Sequence, residues 1–116
     1  MEQTFLNETT QLITHDLGAN LQLVDQWELL RQQLTQFVAY LLQTDRARLY
    51  HYLYRIDVEE KRIKSAMAQD PNADMASLLA NLIIERSLQT VKTRAKYRKW
   101  QEEQDADGSF FDAERW

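Results

Sequence analysis

Leu23, Trp27, Leu30, Leu34, Phe37 and Leu41 are spaced 4-3-4-3-4 along the chain, an alternation that fits one face of an α-helix. Val24, Val38 and Leu42 widen that face, so a helix is predicted over 20–43 with Asn20 as its cap. Upstream, Phe5, Leu6, Thr9, Leu12, Ile13 and Leu17 recur at helical intervals until Gly18 offers a left-handed residue. That pattern predicts a first helix over 5–17. The longer stripe covers under three heptads and lacks a clean run of complementary flanking charges. It is therefore assigned to packing within a bundle, not to a coiled-coil seam between chains.

The apolar pattern shifts phase at Thr44 and Asp45, where Asp45 can cap a segment with Leu49, Tyr52, Leu53 and Ile56 on one face. Asp57, followed by Glu60, has the spacing of a capping box, and Asp57 to Lys61 and Glu60 to Lys64 have the spacing of i,i+4 ion pairs. Asp70-Pro71-Asn72 is the one strong breaker, after which Asn72 or Asp74 can restart a helix. From there a helix is predicted over 73–103. Leu78, Leu79, Leu82, Ile83 and Ile84 spread apolar surface around its first half, and the face narrows beyond Val91, as in a projecting arm. The expected core is Trp27, Leu30, Leu34, Phe37, Leu53, Ile56, Leu79, Leu82 and Ile83.

The fold class expected is all-α: a single bundle of four to five helices over 1–103 with a partly projecting C-terminal helix. An acidic, aromatic, flexible tail is expected over 104–116. Two glycines and one proline in 116 residues leave little room for strands joined by tight turns. A chain of this length is near the commonest single-domain size. No disulfide or thiolate site is possible without cysteine. The first residues lack a signal-peptide pattern and no stretch has the apolar length of a membrane span, so a cytoplasmic location with no membrane partner is expected.

The net charge of −4 conceals three blocks: −2 over residues 1–56, +3 over 57–101 and −5 over 102–116. Lys92, Lys96 and Lys99 share one helical face and Arg94 and Arg98 an adjoining one. Such a surface can follow a phosphate backbone. Arg98 to Glu102 and Lys99 to Glu103 have the spacing of neutralising pairs, and cations near a helix C-terminus are favoured by the helix dipole, which together favour a solvated or protein-binding face. Phe110, Phe111 and Trp116 are the candidate anchors of a docking tail, whose acids can also fold back on Lys92, Lys96 and Lys99. These eight residues are the candidate partner-binding set.

The run from Leu49 to Arg55 is dense in tyrosine, with Tyr50 and Tyr54 on one face and Tyr52 toward the core. Tyrosines at helical spacing are expected to bury their rings and keep their hydroxyls wet. His15 and His51 lack a carboxylate at i,i+3 or i,i+4, so neither metal nor cofactor is expected. Asp57, Glu59 and Glu60 are read as a helix start, not as catalytic acids. Arg86 is expected to pair with an acid such as Glu28 or Asp25 if buried.

Tyr54, Arg55, Ile56, Asp57 and Glu60, then Leu82, Ile83, Ile84, Glu85 and Arg86, then Lys92, Arg94 and Lys96 resemble a family of small, uncharacterised, all-helical bacterial proteins over residues 52–98. The resemblance implies a bacterial, cytosolic protein and carries over no activity or site. The expected function is a non-enzymatic helical interaction module, protein-binding or homodimeric, with no small-molecule substrate evident. The alternative is nucleic-acid binding through Lys92–Lys99.

Overall fold

The structure, a computed structural model, describes residues 2–106. Among the described residues there are five helices and no strand: α1 (Glu2–Leu17), α2 (Trp27–Thr44), α3 (Arg46–Arg55), α4 (Glu60–Gln69) and α5 (Met75–Ala106). The all-α bundle and its long C-terminal helix follow the apolar periodicity. The 32 residues of α5, at 1.5 Å of rise each, span roughly 48 Å. This one helix accounts for most of the 54 Å long axis of a body 30 × 26 Å across.

The first half of α5 is the centre of the fold, with α1 and α2 packed against it. Leu79 and Ile83 of α5 meet Ile13 of α1, Leu34, Val38 and Leu41 of α2, and Leu49 and Leu53 of α3 in one cluster. Each such side chain removed from water contributes roughly 1.5 to 3 kcal/mol. From Lys96 to Gln104 every side chain is exposed, so the second half of α5 projects. Its helical turns run on to Ala106 rather than ending at 103. Phe110, Phe111 and Trp116 lie outside the described residues.

Two boundaries differ from the periodic reading. α2 begins at Trp27, not at 20, and Asn20 caps nothing. Residues 19–26 instead form an irregular strap whose backbone is satisfied by side chains from elsewhere. The Gln22 N–H donates to Gln33 Oε1 at 3.0 Å, and Gln33 Nε2 returns a bond to the Gln22 carbonyl at 3.0 Å. Gln3 Nε2 donates to the Val24 carbonyl at 2.9 Å, and Trp27 Nε1 to Glu2 Oε2 at 2.6 Å. Leu23 is consequently 54% exposed. Trp27, Phe37 and Ile56 are half-buried rather than central, while the other six residues of the expected core are buried.

The second difference is Asp57. It does not cap α4, whose N-cap is Glu59. With φ +71° it is the left-handed residue that ends α3. The Asp57 N–H donates to the Tyr54 carbonyl at 3.1 Å and the Val58 N–H to the Leu53 carbonyl at 2.9 Å, the bond pair of a Schellman ending. Of the two ion pairs expected in α4, Glu60–Lys64 is present at 3.7 Å. Asp57–Lys61 is not formed, because Asp57 has left the helix.

The remaining punctuation is as read. Gly18 closes α1 at φ +75°, Asp45 caps α3 by accepting from the Arg48 N–H at 3.1 Å, and Asp74 caps α5 by accepting from the Ser77 N–H at 3.1 Å. α5 thus starts at Met75 rather than 73.

Candidate functional site

The corner where α3 hands over to α4 and α5 begins holds an apolar groove of about 790 Å³. Helical spacing builds its walls in i,i+4 pairs: Tyr50 and Tyr54 from α3, Ile63 and Met67 from α4, Met75 and Leu79 from α5. Tyr54 is 81% exposed and Tyr50 50%, so these rings are open to solvent, against the expectation that they bury. Asp57, Glu59 and Glu60 set an acidic rim on this apolar floor. α4 contributes no buried side chain of its own. It is held by half-buried Ile63 and Ala66 and by Arg62, whose Nη2 meets Glu85 Oε1 at 2.9 Å.

A smaller and more polar cavity, about 310 Å³, shares only Asp57 with the groove. Leu12 and Asp16 of α1, Tyr52 and Arg55 of α3, and Arg86, Ser87 and Arg94 of α5 line it. Tyr52 points to the core as its register implies, yet its hydroxyl is buried too and has no hydrogen-bond partner. Burial pushes that phenol up to about 12; the Ser87 hydroxyl beside it offsets only part of the shift. Arg86 has no acidic partner at Glu28 or Asp25. It donates from Nε to the Ile56 carbonyl at 2.9 Å and from Nη1 to Gln89 Oε1 at 3.2 Å, closing the end of α3.

The five basic residues of α5 have different neighbours. Lys92 Nζ sits 5.9 Å from the Phe5 ring centroid, and Arg98 meets Glu8 of α1 at 3.8 Å rather than Glu102. No Lys99–Glu103 pair is present among the described residues. Arg94 turns to the polar cavity. Lys96 and Lys99 remain on the arm with Tyr97 and Trp100, whose rings stack at 5.8 Å and are 62% and 53% exposed. Sequence reasoning did not single out Tyr97, Trp100, Met67 or Met75. The available signal was large apolar side chains off the core register.

No group of three or more His, Asp or Glu side chains is arranged to hold a metal among the described residues. No helix among them is long and apolar enough to cross a membrane. His15 and His51 are both exposed, the former 2.9 Å from Asp16 of its own helix. Comparison with protein-family models, curated proteins and solved structures finds no match to this chain.

Proposed function

We propose that the chain is a non-enzymatic helical interaction module that pairs with a second copy of itself, each copy's α5 arm lying in the other's α3–α4–α5 groove. The observation that carries this reading is complementarity. The groove is apolar and tyrosine-lined with Asp57, Glu59 and Glu60 on its rim, and the arm offers Tyr97 and Trp100 beside Lys96 and Lys99. Aromatic anchors flanked by opposite charges are what helix-in-groove docking uses.

The arm cannot fill its own groove. Met75 and Trp100 lie on the same helix, about 37 Å apart at 1.5 Å per residue. Two antiparallel copies bring each arm to the other's groove by a single two-fold rotation, the commonest symmetry of small assemblies.

Sedimentation of the full chain across micromolar to millimolar concentration tests this, with monomer–dimer exchange expected. Trp100→Ala is expected to weaken it by about 5- to 30-fold, as for an aromatic anchor worth about 1 to 2 kcal/mol. Glu59→Lys with Glu60→Lys should abolish pairing, and mixing that variant with Lys96→Glu, Lys99→Glu should restore it. A monomer at all concentrations, or a dimer indifferent to these changes, rejects the reading.

A second reading is favoured by the same exposed Tyr97–Trp100 stack beside two lysines, a surface on which unpaired bases can stack. It is weaker because Lys92 and Arg98 are engaged with α1. Single-stranded nucleic acid binding with a log K against log salt slope of roughly −1 to −2 would support it. Affinity insensitive to salt would reject it.

A further inference from the structure

Tyr52 carries an anomaly that neither the core nor the groove explains. The residue is 2% exposed and its hydroxyl is closed off from solvent with the Ser87 hydroxyl beside it but no well-formed hydrogen bond, although a buried hydroxyl so poorly partnered is costly and rare. It borders the polar cavity with Ser87, itself only 3% exposed. Three arginines line the same cavity against two carboxylates, Asp16 and Asp57, leaving a net positive lining. Arg55 and Arg94 take part in no ion pair among the described residues.

Guanidinium groups present planar paired donors that match the oxygens of carboxylate and phosphate groups. A volume of about 310 Å³ is at the small end of ligand sites, so the occupant is small. We propose that the cavity between α1, α3 and α5 is a binding site for a small oxyanion, of the phosphate or carboxylate class, held by Arg55 and Arg94 with the Tyr52 hydroxyl as a neutral donor.

Each part of the lining then has a distinct task. Arg86 is fixed by its bonds to Ile56 and Gln89, so it supplies positive charge as part of the wall. Arg55 and Arg94 are exposed and can close on an anion arriving from solvent. Tyr52 gives the buried end of the site one directional donor, and the ligand completes the hydrogen bonding that the protein alone leaves open. Asp16 opposes an anion, which sets a sign for the test.

The experiment is a titration of the full, isotope-labelled chain with inorganic phosphate, followed through its backbone amide resonances, with acetate and sodium chloride added separately at matched ionic strength. Phosphate is expected to move the amides of Ser87, Thr90 and Arg94 saturably. An equal response to acetate assigns the site to carboxylates, and a response to chloride of the same size overturns the proposal.

Arg55→Gln combined with Arg94→Gln removes no ion pair found among the described residues and should weaken phosphate binding at least about tenfold, the loss of one charge-assisted contact. Tyr52→Phe should fold at least as well as the parent and bind several-fold more weakly, whereas Asp16→Asn should bind more tightly. A purely structural role for Tyr52 would leave affinity unchanged in Tyr52→Phe. Unchanged affinity in the double arginine variant, or tighter binding of ammonium than of phosphate, also overturns the assignment.

Discussion

The C-terminal ends of α1 and α3 solve the same problem with different residues. Both close on a left-handed residue, Gly18 at φ +75° and Asp57 at φ +71°, and both hand a last carbonyl to an arginine from a distant helix. Arg48 Nη2 donates to the Leu17 and Gly18 carbonyls at 2.7 and 3.3 Å while its guanidinium lies 5.7 Å from the Phe37 ring centroid. Arg86 Nε does the equivalent for Ile56. At α1 the backbone ending is a single bond from the Gly18 N–H to the Thr14 carbonyl at 3.1 Å. At α3 it is the two-bond Schellman form.

The difference lies in what the left-handed residue leaves beside it. A Cβ at Gly18 would sit 2.5 Å from Arg48 Nη2, so the glycine serves both the turn and the approach of the arginine. No such crowding acts on Asp57, where a carboxylate is kept at the mouth of groove and cavity despite the strain of a left-handed side chain. A helix end can therefore be tuned for stability at one place and for surface chemistry at another, with a cross-helix arginine completing each.

The comparison can be broken most severely at α1. Gly18→Ala forces a side chain into the left-handed region, at about 1 to 2 kcal/mol, and displaces Arg48 from its carbonyls, for a total loss of about 2 to 3 kcal/mol. Urea unfolding measures it, and a loss below about 0.5 kcal/mol would mean that the turn relaxes freely. The α3 end should be the more sensitive to alkali, because Tyr52 lies beside it. Its phenol stays protonated to about 12 when folded against an ordinary 10, so the unfolded chain gives up that proton first. The stability this contributes is intact below pH 10 and declines as pH rises through the folded value, by at most about 3 kcal/mol. Tyr52→Phe should flatten that decline in paired unfolding curves.

Arg86→Gln should lose about 1 to 2 kcal/mol by leaving the Ile56 carbonyl without its charged donor. Hydrogen exchange should localise the loosening to the last turn of α3. The smallest effect, and the one of opposite sign, is Asp57→Gly. It relieves left-handed strain and should raise stability by about 0.5 to 1 kcal/mol while thinning the acidic rim. A rise in melting temperature together with weaker self-association would separate the two roles of Asp57.

The same two ends show why part of the fold was legible in the sequence. Gly18, Asp45 and Pro71 act on the backbone next to them, and each marked its boundary from the residue type alone. Asp57 was ambiguous because aspartate favours both a helix start and a left-handed turn, and its neighbour Glu60 fits the former. The left-handed ending found here is accompanied by a bond from Arg86, far along the chain, to the Ile56 carbonyl. The strap before α2 was hidden for the same reason: its hydrogen bonds come from Gln3 and Gln33, which no local periodicity encodes, while Leu23 continued the stripe without being helical.

The candidate surfaces were harder to read. Lys96 and Lys99 do stand on the arm, but the partners of Lys92 and Arg98 come from α1, and Arg94 borders the polar cavity. The groove draws on three helices, so its members become neighbours only after the Pro71 turn folds α4 back beside α3 and α5.

That α4 buries none of its ten side chains makes it the cheapest segment of the fold to peel away. Its amides should exchange with solvent well before those of α2 or early α5, and a protease should nick the 70–74 connection first. The wall nearest the acidic rim is thus expected to open more readily than the other helices, which would let the groove widen for a bulky guest.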